Sequence, residues 1–271
     1  MNKLISFRAN HRGAGSRNHA VKQAFALLAA ILFLGPALRA QDKCSVEVKF
    51  LLSPPAPESA VAFLGFKRET TGRVYFFDTD SLDLLAQGVV VRIRQGANND
   101  LTLKVRRPGG KQGVDNAELR GRFPCEIDRT PGGAMVTYAI RRQYKTNNVP
   151  TIGSDVQDLL SASQNELLGE ARVSIDWARV KRIADIRLTK WETPVDSPSG
   201  RLALELWEWP SAGKILEVSA KASYAVADSK YAELEQLLKG KDLSLSADQD
   251  TKTSVALRII ARRISPPGTS P

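Results

Sequence analysis

Five stretches of this chain alternate, residue by residue, between an apolar set and a set carrying charges of both signs. Residues 44–49 put Ser45, Glu47 and Lys49 on one side and Cys44, Val46 and Val48 on the other. "VVVRIRQ" (89–95) sets Arg92 and Arg94 against Val91 and Ile93, and "LTLKVRR" (101–107) sets Thr102, Lys104 and Arg106 against Leu101, Leu103 and Val105. "CEIDR" (125–129) offers Glu126 and Asp128, while "LEVSAK" (216–221) sets Glu217, Ser219 and Lys221 against Leu216 and Val218. A period of two marks strands with one face buried. The charged faces then have two destinations: solvent, as in a sandwich with wet outer faces, or the interior of a closed barrel. In a barrel, Arg92 and Arg94 point the same way into an enclosure, which must then hold something strongly anionic.

The rest of the chain fits around those strands. "GRVYFFD" (72–78) reads as an aromatic strand running into a DTD turn and a short helical stretch, and "GANND" (96–100) as a hairpin turn. "AELRGRFPCEIDR" (117–129) reads as one strand with Pro124 at an edge or bulge. Residues 179–192, 201–209 and 214–223 follow as strands in meander order. Helical spacing marks 58–66, 155–169, 229–240 and 251–263, and "ISPPGTSP" (264–271) reads as a disordered tail. About eight strands joined by short turns is the number at which an antiparallel sheet closes around side chains or a small ligand. The expected fold is α+β but mainly β, an antiparallel closed β-barrel with peripheral helices, forming a single domain over 41–263.

Residues 1–40 read as a secretory signal. Lys3, Arg8, Arg12, Arg17 and Lys22 precede the apolar run "AFALLAAILFLG" (24–35), and "ALRA" ends on the small Ala40. The run falls short of the ~20 residues a spanning helix needs. The expectation is cleavage, no stable membrane anchor afterwards, and a periplasmic or secreted protein. Cleavage removes six of the 39 Lys and Arg residues and none of the 29 acids, so the formal charge of +10 falls to +4. That excess does not mark a nucleic-acid binder, and no RNA-binding or helix-turn-helix pattern is visible, so no nucleic acid is expected as a partner. Cys44 and Cys125 both lie opposite their strands' acids, and export makes them a disulfide pair. Both histidines, His11 and His19, fall in the signal. The mature chain therefore has no Ser-His-Asp triad, Cys-His pair or imidazole zinc site; its chemistry must run on carboxylates, lysines, arginines, tyrosines and bound metal.

One segment is more specific. "VYFFDTDSLDLLAQGVVVRIR" (74–94), followed by "LTLKVRRPG" (101–109), carries a tyrosine, an Asp-Thr turn, a leucine-rich stretch, a glycine, paired arginines and a later strand lysine. In that order these resemble the CYTH superfamily, the triphosphate tunnel metalloenzymes, which include thiamine triphosphatases, inorganic triphosphatases and one class of adenylate cyclases. The resemblance runs from about Ser45 to Leu257. The family opens on a strand of the form ExExK; here it reads Ser45-Val46-Glu47-Val48-Lys49, with a serine for the first acid. A later ExE pair reads Glu217-Val218-Ser219, with a serine for the second.

What the resemblance implies is a tunnel in which Lys49, Arg92, Arg94, Lys104, Arg187 and Lys221 clamp a triphosphate. Glu47, Glu126, Asp128, Glu205 and Glu217 would hold Mg²⁺ or Mn²⁺, and Glu47, Lys49 and Glu217 would be catalytic. The chemistry agrees: arginine forks onto phosphate oxygens and lysine acts as a point charge. Mg²⁺ needs only one or two carboxylates beside phosphate oxygens and water, so a set that has lost two acids can still hold it. The expected partner is a small anion: a triphosphate, a nucleotide or polyphosphate. Three functional readings stay open at this point. They are a metal-dependent triphosphatase, with adenylate cyclase as its relative; a catalytically degenerate module that binds polyanions without turnover; and a structural role for a sandwich with wet faces.

Overall fold

The computed structural model describes residues 44–53, 57–96, 99–109, 117–197, 200–210, 213–241 and 243–264. The expected signal (1–40) lies outside the described residues, as does the expected tail beyond Ile264. Nine strands are present among the described residues: β1 (Ser45–Leu52), β2 (Arg68–Asp78), β3 (Val89–Gly96), β4 (Asp100–Gly109), β5 (Cys125–Thr130), β6 (Gly133–Gln143), β7 (Lys181–Glu192), β8 (Leu202–Trp209) and β9 (Gly213–Ala222). Seven α-helices accompany them among the described residues: α1 (Pro57–Leu64), α2 (Asp83–Ala86), α3 (Ala117–Arg122), α4 (Gly153–Asp158), α5 (Ala162–Glu170), α6 (Ala227–Lys239) and α7 (Lys252–Ile264). The sheet runs β1-β5-β6-β4-β3-β2-β7-β8-β9, and β9 pairs back onto β1 to close the barrel.

Several expectations are corrected. The barrel has nine strands, not about eight, because β6 joins them through the hairpin at Pro131 and Gly132. It is not wholly antiparallel either: β1 and β5 run parallel, with Ser45 opposite Glu126 and Glu47 opposite Asp128. Parallel neighbours need a crossover, and here three strands and three helices intervene. Residues 117–129 are not one strand. Helix α3 ends at Arg122, and Pro124, which has no N–H to donate, separates it from β5. Nor is 155–169 one helix. Ser161 restarts it as the N-cap of α5, accepting from the Gln164 N–H while its own N–H donates to the Gln164 side chain.

The barrel is apolar outside and charged inside, so its hydrophobic faces need covers. The outer faces of β2, β3, β4 and β6 bury Tyr75, Val91, Leu103 and Tyr138 beneath Leu84, Leu119, Val156 and Leu167 of α2 to α5. Around β1, β8 and β9, Val48, Leu204 and Val218 lie under Ala60 and Leu64 of α1 and Leu234 and Leu238 of α6. Each such side chain contributes ~1.5–3 kcal/mol on burial, and this outer layer frees the lumen from supplying the core. Helix α7 is different: Val255, Ala256, Leu257 and Ile260 pack on the inward-facing Val74, Phe76, Trp207 and Ile215. It fills part of the lumen with apolar contacts and leaves the charged remainder as a cavity.

Two local devices set β3 and β4 in place. The buried Asp78 carboxylate accepts N–H bonds from Thr79 (2.7 Å), Leu84 (2.8 Å) and Leu85 (3.0 Å), which is why the DTD turn starts a single helical turn, α2. Gly88 then takes φ 75°, and its carbonyl accepts from the Arg106 N–H at 2.7 Å. A Cβ there would come within 2.5 Å of the Arg106 oxygen, so only glycine lets β3 begin this close to β4.

Candidate functional site

Ladder partners share a face, and the register carries one continuous set of side chains around the lumen. Glu47 sits opposite Lys221 and Asp128, Arg92 opposite Phe76 and Thr102, and Glu205 opposite Glu217 and Lys190. Glu47, Arg92, Lys190, Glu205, Glu217 and Lys221 of this set line a cavity of about 260 Å³. Its lining is overwhelmingly polar, with Val74, Leu188 and Trp207 as the apolar exceptions.

On one side, β3, β4 and β6 form a basic wall. Arg94 is paired with Asp100 through Nε (3.0 Å) and Nη2 (2.5 Å), and Asp100 also accepts from Thr102 Oγ1 at 2.6 Å. Deeper in, the cations are poorly matched. Arg92 and Arg106 each bury an Nε that has no hydrogen-bond partner among the described residues, although Arg106 Nη1 donates to Thr251 Oγ1 at 2.9 Å. Burial, followed by the repulsion of Arg92 and Lys49, lowers the Lys104 pKa to about 7. Burial, with Arg94 beside it, lowers that of Arg92 to about 10. Buried donors without acceptors and cations driven towards neutrality mark a place prepared for an anion.

On the other side, β1, β5, β8 and β9 carry the acids. Glu47, Glu126 and Asp128 can bring carboxylate oxygens within 4.8 Å of one another. The Lys49 ammonium reaches into this group, bonding Asp128 and lying 2.8 Å from Glu47 and 4.0 Å from Glu126. Thr137 Oγ1 donates to Asp128 at 2.9 Å, and Ser219 Oγ to Glu47 at 3.2 Å. Burial opposes the charge of Lys49, yet Asp128 and then Glu47 hold its pKa well above the usual value. Burial raises the pKa of Glu126, and Glu47 and Asp128 add to the rise against the pull of Lys49. Further along, Lys252 of α7 bonds Glu205 at 2.5 Å and Glu217 at 2.7 Å, with its Nζ 4.5 Å from the centre of the Trp207 ring.

Glu47, Lys49, Arg92, Arg94, Lys104, Glu126, Glu205, Glu217 and Lys221 therefore share one lumen, with Asp128 bonded to Lys49 inside it. Lys221 sits at the rim, its side chain 76% exposed. Arg187 is corrected: β7 turns Leu188 and Lys190 inward, so Arg187 points out, into a surface depression shared with Arg73, Asp185 and Trp209. Cys44 and Cys125 form a disulfide with Cα atoms 4.8 Å apart, fastening β5 beside β1 where the parallel pair begins. The site list read from the sequence missed Arg106, Arg141, Lys190 and Lys252, all of which line the cavity. Arg141 belongs to the unrecognised β6, and Lys252 enters from a helix, which strand alternation cannot flag. Arg106 stood on the charged face with Lys104 from the alternation alone, whereas placing Arg187 inward turned Lys190, of opposite parity, outward.

A sequence model of the CYTH domain matches residues 44–188, more than half of the chain. The chain belongs to the CYTH domain family. Among solved structures, the Hippeastrum protein HpAC1, described as an adenylyl cyclase candidate with a dominant triphosphatase activity, is 19% identical. That match covers 79% of this chain and 94% of HpAC1, with a TM-score of 0.54. An adenylate cyclase candidate from Bacillus halodurans is 16% identical over 79% of this chain and 97% of its own, with a TM-score of 0.51. At such identities the likeness shows a shared fold and nothing more. A search of curated proteins finds no sequence match. The CYTH match accounts for the DTD turn, Gly88 and the paired arginines as one unit, since all of them lie inside it.

Proposed function

We propose that this CYTH protein takes a triphosphate or longer oligophosphate into its lumen and hydrolyses a phosphoanhydride with the help of Mg²⁺ or Mn²⁺. The observation that carries the reading is the unmatched basic wall: Lys104 lowered to about 7, with Nε atoms on Arg92 and Arg106 that have no partner among the described residues, facing the carboxylates across the cavity. A phosphate chain fits both needs, because its oxygens accept from arginine forks and its charge restores that of Lys104.

The residues present fit a divalent cation at Glu47, Glu126 and Asp128. They offer hard oxygen donors within 4.8 Å of one another, and burial first, then Glu47 and Asp128, raises the pKa of Glu126 against the pull of Lys49. When bound, the cation polarises the phosphoryl group and shields it from the acids. The protein's own groups do the rest. Arg92, Lys104 and Arg106 hold the chain in line through donors fixed before it arrives. A lumen carboxylate outside the metal set takes the proton of the attacking water, whose oxygen bonds the terminal phosphorus as the bridging P–O bond breaks and its electron pair leaves with the departing phosphate. Lys49 and Glu217, expected as catalytic, act through the partners they hold in ion pairs.

Residues 1–40 serve in this reading as an export signal, and the Cys44–Cys125 bridge supports it because such bonds persist in oxidising compartments. An N-terminus at Gln41 on the protein recovered outside the cytoplasm tests that step.

A phosphate-release screen over tripolyphosphate, nucleoside triphosphates and long polyphosphate, with and without Mg²⁺ or Mn²⁺, tests the activity. Metal-dependent release that disappears in Glu47→Gln is expected. Ser219, where the family carries an acid, bonds Glu47 and favours a second reading, binding without turnover. Tight tripolyphosphate binding with no release under either metal establishes that reading, and cyclic nucleotide formed from ATP establishes a cyclase.

A further inference from the structure

The two groups of lumen acids differ in how completely the protein itself answers them. Glu205 and Glu217 stand directly opposite each other on β8 and β9, an arrangement of like charges that is unfavourable without a counter-ion. The counter-ion is present. Lys252, only 7% exposed, bonds both carboxylates at 2.5 and 2.7 Å and rests over the Trp207 ring. Lys252 is held there by its own helix: Val255 and Ala256, three and four residues on and so on the same face of α7, are buried among the inward side chains of the barrel. Lys190 and Arg92 also act on Glu205, whose pKa, despite its burial, falls to about 2 under the influence of Lys252 first.

The charge balance separates the two groups. Glu47, Glu126 and Asp128 bring three negative charges within 4.8 Å of one another to Lys49, with Lys221 reaching Glu126 only at 4.0 Å from the exposed rim. Glu205 and Glu217 bring two to Lys252, which bonds both, while Lys190, itself paired with Glu192 at 2.8 Å, and Arg92 act further on Glu205. A further divalent ion there would have to displace the Lys252 ammonium from both carboxylates.

We propose that Lys252 is a built-in cation occupying the place between Glu205 and Glu217 that a second metal ion would take, so that this lumen holds one divalent cation and not two. The inference deepens the proposed function of the same lumen and rests in part on it, since the single ion is assigned to Glu47, Glu126 and Asp128. The ammonium leaves these two acids held in place without any bound metal, and oligophosphate enters a lumen whose far carboxylates are already neutralised.

Counting bound Mn²⁺ tests it, by electron paramagnetic resonance of the free ion during titration of the purified protein. One Mn²⁺ per chain is expected for the wild type, two for Lys252→Gln, and one again for Lys252→Gln combined with Glu217→Gln. Lys252→Arg, which keeps the charge, should stay at one. A folded Lys252→Gln that binds no more Mn²⁺ than the wild type overturns the inference. If that variant does not fold, the wild type still decides, because two Mn²⁺ per wild-type chain is incompatible with an occupied second place. A wild type that binds none while Lys252→Gln binds one removes the metal from Glu47, Glu126 and Asp128, and with it the metal-dependent function, yet upholds the role of Lys252.

Discussion

The two walls of the lumen are built from the same alternating strands but stand in opposite electrostatic conditions. On the acidic wall each carboxylate group has a lysine set into it, Lys49 among Glu47, Glu126 and Asp128, and Lys252 between Glu205 and Glu217. On the basic wall Arg94 has Asp100, but Lys104, Arg92 and Arg106 lie deeper without a matching acid of their own. Burying charge without a partner costs several kcal/mol per ion, so the basic wall is a standing cost of the unliganded fold. The acidic wall is where the structure stabilises itself, and the basic wall is where it waits for a ligand.

The largest effect should come from removing one lysine from each wall. Lys49→Met leaves the carboxylates of β1 and β5 facing one another and should lower stability in urea by ~3–5 kcal/mol, the usual cost of breaking a buried ion pair. Saturating Mg²⁺ should return ~2–3 kcal/mol of it by binding only the folded state. Lys104→Met, of similar size and burial, should leave stability unchanged or higher, because it deletes an unmatched charge. Equal losses for the two variants would erase the distinction between the walls.

Next in size is the seam that assembles the acidic wall. The disulfide joins residues 81 apart in the chain and holds β5, with Glu126 and Asp128, against β1, with Glu47 and Lys49. Replacing both cysteines by serine should cost ~2–4 kcal/mol of stability. Mn²⁺ affinity should weaken more than tripolyphosphate affinity measured without metal, since the basic wall lies on other strands. Parallel loss of both would mean that the walls are not separable units.

The difference between the walls also decides what could be read from the sequence. Alternation displayed Arg92, Lys104, Glu47 and Glu217 because each lies on a strand whose opposite residues are apolar, and closure followed once those strands shared one lumen. β6 escaped notice although Val136, Tyr138 and Ile140 alternate with Met135, Thr137 and Ala139, because neither of those sets carries a charge. Arg141 was lost with it. Lys252 was not legible at all: its place depends on α7 entering the barrel, a tertiary fact that no local period encodes. Arg187 was misassigned because its strand resembles the family only loosely, and a shift of one residue turns a side chain from lumen to surface.

Affinity sharpens the comparison further. Arg92→Met should weaken tripolyphosphate binding ~10–100-fold in isothermal titration, the worth of one or two charge-assisted hydrogen bonds. Lys221→Ala, at the exposed rim, should change it less than ~3-fold, as screened surface charges do. Binding should weaken as salt rises, and Arg92→Met should reduce that dependence less than it reduces affinity, since buried charges are poorly screened. A rim lysine that mattered as much as Arg92 would place the ligand at the mouth instead of against the basic wall.

The smallest expected signal is also the one most particular to the basic wall. With its pKa lowered to about 7, Lys104 is mostly neutral in the unliganded protein at pH 8. A polyanion beside it raises that pKa, so binding at pH 8 should draw in ~0.9 proton through this group, falling to ~0.5 at pH 7 and ~0.1 at pH 6. The sign follows from linkage. Because the bound form holds the proton more tightly, the contribution to affinity is complete below pH 7 and is lost as pH rises from there towards the bound-state value. Titrations in buffers of different ionisation enthalpy measure the uptake, and Lys104→Met serves as the reference that cancels the ligand's own protonation. On the acidic wall the corresponding lysine, Lys49, is held well above its usual pKa and is already charged at pH 8, so it adds nothing. Uptake that persists undiminished in Lys104→Met would move the titrating group elsewhere, and the contrast between a matched and an unmatched wall would lose its most direct measure.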